Sequence, residues 1–178
     1  MCIRDRPWTG RGVAGEIGHV VVRIGGERCG CGRLGCMEAY AGRASMERRA
    51  RHAHKKGAKT DLFKIMEERG RTRLMSGIWD RALRRNDPLA TKLIDEAVEA
   101  LGAGVASVQN VLDVEAIVVG GGLGVRLGEA FAMRIGDAML PHLFDDLHPP
   151  AMRVAALGDL GGALGAALLA RPASVRAV

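Results

Sequence analysis

Three of the chain's four cysteines, Cys29, Cys31 and Cys36, fall within eight residues, and His19 stands ten residues before the first of them. The stretch 15–40 reads GEIGHVVVRIGGERCGCGRLGCMEAY, with Gly or Arg filling most of the gaps. Three thiolates and one imidazole complete a closed tetrahedral zinc site, so His19, Cys29, Cys31 and Cys36 are the candidate ligands of a structural Zn2+. Gly30, Gly32 and Gly35 would let the loop wrap the ion, and Arg28 and Arg33 would offset part of its thiolate charge. The alternatives are three reduced cysteines in a loop, or one disulfide. The glycines have no other evident purpose, which favours the metal.

The rest of the composition agrees with a reducing setting. No apolar run is long enough for a membrane span, and MCIRDRPWTG has no apolar core after its basic start, so the chain is read as cytoplasmic. In that compartment clustered cysteines more often bind metal than pair. Cys2 is expected to be a free thiol. Nearly half the 178 residues are apolar and a quarter charged, enough for one ordinary globular core. Aromatics are scarce and glycines number 25, which points to close packing and to ligand sites built from backbone.

Much of the net charge of +6 lies in RASMERRARHAHKKGAK, residues 43–59. Such a run can meet nucleic acid phosphates, but it lacks interleaved aromatics and reads as a solvated helix face. His52 and His54 are two apart and share no helix face, so they are not a metal pair.

An α/β pattern follows along the chain. HVVVRI, residues 19–24, predicts a short strand. Helices are expected at about 37–55, 61–68 and 74–84. Asp87 is placed to cap a long helix with Pro88 in its first turn and apolar residues at Leu89, Leu93, Ile94, Ala97, Leu101 and Val105. VEAIVVGGG (114–122) predicts a buried strand ending in glycines, followed by a helix at about 128–142. AMRVAAL (151–157) predicts a second strand, and GGALGAALLA (161–170) a closing helix. Strands covered by helices imply a mixed or parallel sheet. Glycines after a buried strand allow close backbone approach to phosphate or nucleoside, and they equally make an ordinary tight turn.

AGEIGHVVV followed by CGCGRLGCMEAYAG resembles the signature of the ROK family of sugar kinases and repressors. LDVEAIVVGGGLG and ALGDLGGALGAALLA resemble that family's later glycine-rich segments in the same order. The resemblance runs from about residue 10 to 170, and it leaves residues 1–9 as a start foreign to the family. It implies an actin-like ATPase fold with ribonuclease-H-like lobes, of which residues 10–178 would be the C-terminal part carrying the zinc loop. It also implies transfer of the γ-phosphoryl group of ATP, with Mg2+, to a hexose, most often glucose giving glucose 6-phosphate.

Residue by residue, Glu16, His19 and Glu38 match the family's sugar contacts, with His19 giving one ring nitrogen to zinc and the other to the sugar. Without the resemblance, solvent exposure or helix capping would explain Glu16 and Glu38. Gly120, Gly121 and Gly122 of the segment 117–124 match the nucleotide contact. The family's Asp-x-Gly-Gly-Thr loop, and its catalytic Asp preceded by Asn upstream of the Glu-x-Gly-His segment, have no counterpart here. No catalytic residue is therefore assigned, and Asp5 is not given that role. The implied parent is a glucokinase-like enzyme, commonly homodimeric, and this chain alone is expected to be inactive. The alternative is part of a sugar-responsive ROK repressor, whose helix-turn-helix would lie elsewhere; the intact glycine segment favours the kinase. A free zinc module that binds nucleic acid through its basic helix is a third, weaker reading.

Overall fold

A computed structural model describes residues 2–3, 6–7 and 10–170. The elements in order are β1 (Cys2–Ile3), β2 (Arg6–Pro7), α1 (Met37–Ala41), α2 (Arg43–Lys55), α3 (Leu62–Glu68), α4 (Ser76–Arg84), α5 (Pro88–Leu112), β3 (Ala116–Val119), α6 (Gly121–Met139), β4 (Ala151–Val154) and α7 (Gly161–Ala170). Short 3-10 turns at Ile17–His19, Leu140–His142 and Gly158–Leu160 connect them. Asp5 and the side chain of Cys2 lie outside the described residues.

The long helix forms where its apolar spacing predicts. The Asp87 side chain accepts the Ala90 N–H at 2.8 Å, Pro88 occupies the first turn, and Asp113 ends the helix with φ 48°. Its buried stripe, Leu89, Leu93, Ile94, Ala97 and Val98, packs on Leu62, Ile65, Ile78 and Trp79 from α3 and α4 and on Phe131 and Ile135 from α6. Each large side chain withdrawn from water here contributes about 1.5–3 kcal/mol.

The chain is α/β, with β3 and β4 pairing in parallel from Ala116↔Ala151 to Val119↔Val154. A parallel pair needs a crossover, and α6 supplies it. Both strands are shorter than expected, four residues each, and β3 is half-exposed rather than buried, with Val118 at 63%. Among the described residues nothing covers the second face of this pair. The last helix likewise keeps its apolar side open, with Leu164 and Leu168 about half exposed.

Three further expectations are corrected. Residues 19–24 are not a strand. Ile17–His19 is a 3-10 turn, and Val21 makes only an isolated bridge to Cys36, because this segment serves to return the loop rather than to extend a sheet. The helix over 37–55 is two helices meeting at Gly42, where a Cβ would lie 2.6 Å from both Glu38 Cγ and Glu38 O. The helix expected from 128 begins at Gly121, and Gly128, with φ 68°, is a kink within it.

The arginines of α2 turn inward more than a solvated face requires. Arg48 donates to Arg28 O at 2.8 Å, Arg49 pairs with Glu96, and Arg51 donates to Glu47 at 2.8 Å and to Thr72 O at 2.9 Å. Glu47 is buried and also accepts Arg73 Nε at 3.0 Å and the Leu74 N–H at 3.2 Å. Burial pushes its carboxyl up, but the guanidiniums of Arg51 and Arg73 and the Leu74 N–H outweigh that and hold it below the usual range. His54 stacks on Phe63, with ring centres 4.7 Å apart, and joins no metal-binding group.

Candidate functional site

The loop between Val21 and Cys36 closes on itself through few but well-placed contacts. Cys29 N–H donates to Arg33 O at 2.8 Å, Gly32 N–H returns to Cys29 O at 3.0 Å, and Arg28 bridges Leu34. Gly35 adopts φ 77°, and a Cβ there would stand 1.7 Å from Arg23 O, so only glycine fits. Gly30 is neither left-handed nor crowded, so the loop does not depend on it. Tyr40 of α1 closes the base: its hydroxyl accepts the Glu27 N–H at 2.8 Å, and the guanidiniums of Arg23 and Arg49 lie 5.2 and 5.3 Å from its ring centre.

This folding gathers His19, Cys29, Cys31 and Cys36, whose ligand atoms all lie within 4.8 Å of one another. Cys29 Sγ stands 3.7 Å from His19 Nδ1, and Cys31 Sγ 3.8 Å from Cys36 Sγ. Sulfur and nitrogen donors bonded at about 2.3 and 2.0 Å on tetrahedral corners are about 3.5–3.8 Å apart, and these two pairs stand at about that separation, so the donor types and their spacing suit a small tetrahedral cation. Cys29 and Cys36 are buried and Cys31 is exposed. The Arg33 backbone N–H holds the Cys31 thiol below its ordinary value. Burial, followed by the neighbouring thiols, pushes Cys36 up to about 11. The metal-free cluster therefore holds protons that a cation must displace.

The other ring nitrogen of His19 faces away from the sulfurs. His19 Nε2 is 3.8 Å from Glu16 Oε2 and 3.6 Å from Glu38 Oε2. Both carboxylates are open to solvent, so the three side chains present an imidazole between two acceptors to an incoming ligand. The three residues singled out as sugar contacts thus lie together, on a face that adjoins the cysteine cluster through one imidazole.

Gly120, Gly121 and Gly122 lie elsewhere, on the wall of a cavity of about 860 Å³. Gly120 is extended, and Gly121, at φ 78°, turns the chain from β3 into α6. Ile17, Met46, Leu74, Trp79, Leu101 and Phe131 form much of the remaining wall. Ile17 is the residue next to Glu16, so the cavity reaches from the glycine segment to the segment that carries Glu16. Sequence reasoning missed this cavity, since its lining comes from six separate segments with no shared motif.

The sequence model of the ROK family matches residues 1–173. The chain belongs to the ROK family. This ROK chain is 33% identical over 173 residues to the kanosamine kinase of Amycolatopsis mediterranei, covering 92% of itself and 48% of that protein. Among solved structures it is similar to a ROK family glucokinase from Streptomyces griseus in complex with glucose and AMPPNP, with TM-score 0.69 and 32% identity, covering 90% of itself and 52% of that chain. It is also similar to a ROK family transcriptional regulator, a homolog of the E. coli MLC protein, with TM-score 0.68 and 25% identity over 84% of itself and 36% of that chain. The ROK chain thus spans about half the length of the curated relatives it matches.

Proposed function

We propose that this chain is the sugar-binding and nucleotide-facing lobe of an ATP-dependent hexose kinase of actin-like ATPase fold, with glucose as the preferred substrate. The observation that carries the reading is the division of His19: Nδ1 faces Cys29 at 3.7 Å, while Nε2 faces Glu38 at 3.6 Å. One side chain thereby joins a metal centre to a pair of carboxylates suited to vicinal hydroxyls.

A Zn2+ ion held by His19, Cys29, Cys31 and Cys36 would be structural, cross-linking the loop to the segment that carries Glu16. Glu16 and Glu38 accept hydrogen bonds from sugar hydroxyls, and the metal-side bond of His19 fixes the orientation of its ring. Gly120, Gly121 and Gly122 offer backbone to the nucleotide beside a largely apolar cavity roomy enough for a nucleoside. ATP and Mg2+ are the co-substrates. The chain's single Asn-Asp pair, Asn86-Asp87, is not a candidate base, because Asp87 is buried and accepts the Thr60 hydroxyl and the Ala90 N–H.

The likeness to a transcriptional regulator makes sugar-responsive repression the second reading, in which the same carboxylates sense an effector. Isothermal titration with glucose and with AMPPNP separates the two. Binding of both ligands supports the kinase, glucose alone supports the repressor, and neither ligand overturns both.

A further inference from the structure

Four arginines lie on α2, and three of them have partners in the fold: Arg48 on Arg28 O, Arg49 on Glu96, and Arg51 on Glu47 and Thr72 O. Arg43 has no hydrogen-bond or ion-pair partner among the described residues. It is instead the one charged side chain on the described wall of the 860 Å³ cavity, and Ser76 is the only hydroxyl there. Glu47, one helical turn along, is the carboxylate that would ordinarily neutralise it, but Glu47 is committed to Arg51, Arg73 and the Leu74 N–H.

The placement is also electrostatically adverse. Arg43 is the first residue of α2, whose first turn contains no acidic residue. A cation there opposes the positive end of the helix dipole. The residue before it, Gly42, has no room for a side chain, so the bend that aims α2 at the cavity is fixed by packing against Glu38. An exposed arginine with no partner among the described residues, at the start of a helix and on the wall of an apolar cavity that also shows a glycine turn, suits an anion that arrives with its own apolar group.

We propose that Arg43 binds the phosphates of the nucleotide whose base and ribose enter this cavity. The assignment rests on the kinase reading and adds to it a phosphate ligand contributed by a side chain. The guanidinium fork matches two phosphate oxygens at once. Ile17, which also lines this cavity, is adjacent in sequence to Glu16, so the cavity that Arg43 borders extends to the segment carrying one of the sugar-binding carboxylates.

The test is isothermal titration of the zinc-loaded chain with AMPPNP, adenosine, glucose 6-phosphate and glucose, for the unmodified protein and for Arg43→Gln, Arg43→Lys and Arg81→Gln. Arg81 is exposed on α4 and does not line the cavity, so it controls for loss of one positive charge. Arg43→Gln is expected to weaken AMPPNP binding by about 10- to 100-fold while leaving adenosine unchanged. Arg43→Lys should recover part of the loss and Arg81→Gln should lose little. Equal AMPPNP affinity in Arg43→Gln and the unmodified chain overturns this proposal and leaves the kinase reading standing. An equal loss for adenosine, or an equal loss in Arg81→Gln, also overturns it. Weakening confined to glucose 6-phosphate overturns the nucleotide assignment in favour of a sugar phosphate. An unmodified chain that binds neither AMPPNP nor adenosine overturns this proposal together with the kinase reading.

Discussion

His19 Nε2 lies 3.6 Å from Glu38 Oε2 across the break between the 3-10 turn at Ile17–His19 and α1. Two segments separated by the whole cysteine loop thus meet at one nitrogen. If they meet there to hold a sugar, Glu16→Gln and Glu38→Gln should each weaken glucose binding by roughly 1.5–3 kcal/mol while the metal content stays unchanged. His19→Ala should lower both. Titration calorimetry paired with elemental analysis reads the two effects separately, and loss of metal in either Glu variant would break the proposed division of roles.

Purified protein made with zinc available should carry about one zinc per chain, and Cys29→Ser or Cys36→Ser should lose it. Because burial holds the metal-free Cys36 thiol up near 11, binding must release its proton. Zinc affinity should therefore fall as pH is lowered and rise as it is increased. A competition assay with a chromogenic chelator across pH 6–8 checks the sign, and a flat profile would contradict a thiolate site.

Gly35→Ala should disable the loop without touching a ligand. Its Cβ would sit 1.7 Å from Arg23 O, and the position has φ 77°, so the backbone must move. Gly30→Ala, with open space and no left-handed backbone, should keep its zinc. Metal retention in both variants would mean that the loop does not depend on this turn.

Glu47 offers a stability test away from any ligand. Its folded pKa is lowered, so its contribution is complete well above the ordinary carboxylate value of 4.5 and is lost as pH falls through the lower folded value. Glu47→Gln should cost about 1–3 kcal/mol at neutral pH and make stability less sensitive to acid. Urea melts at pH 7 and pH 4 check it. An unchanged difference between the two pH values would show that the Arg51 and Arg73 contacts contribute little.

A coupled assay of these 178 residues with glucose, ATP and Mg2+ should show no turnover. General bases contribute about 10²–10⁴-fold, and the imidazole and carboxylate that lie near Glu16, those of His19 and Glu38, are assigned to holding the sugar. Turnover abolished by Asp5→Asn would identify Asp5 as the base.

What was legible in the sequence was local chemistry. The cysteine spacing named a cluster that the structure gathers, and Asp87-Pro88 marked the start of α5 to the residue. Val20, Val21 and Val22 misled, because β-branched runs read as strand whatever pairs with them, and here Val21 alone bridges Cys36. The break at Gly42 was hidden because its cause is the position of Glu38, which no propensity records. Arg43 was hidden for a different reason. In a run of arginines nothing distinguishes the one left without a partner among the described residues until Arg28 O, Glu96, Glu47 and Thr72 O have claimed the others.

At about 37 Å, α5 works as the molecule's measuring rod. Its first turns belong to the main core, Ala100 packs beside Cys29 and Cys36, Gly104 leaves room for Met37, and Gln109 clasps the backbone of Val114 just before β3. The phase and the rise of a single helix therefore set how the cysteine loop faces the glycine turn. Deleting one residue between Ala100 and Gln109, such as Ser107, would shorten that span by about 1.5 Å and rotate everything beyond it by about 100°. Both sites would keep every residue they have and lose their alignment with each other.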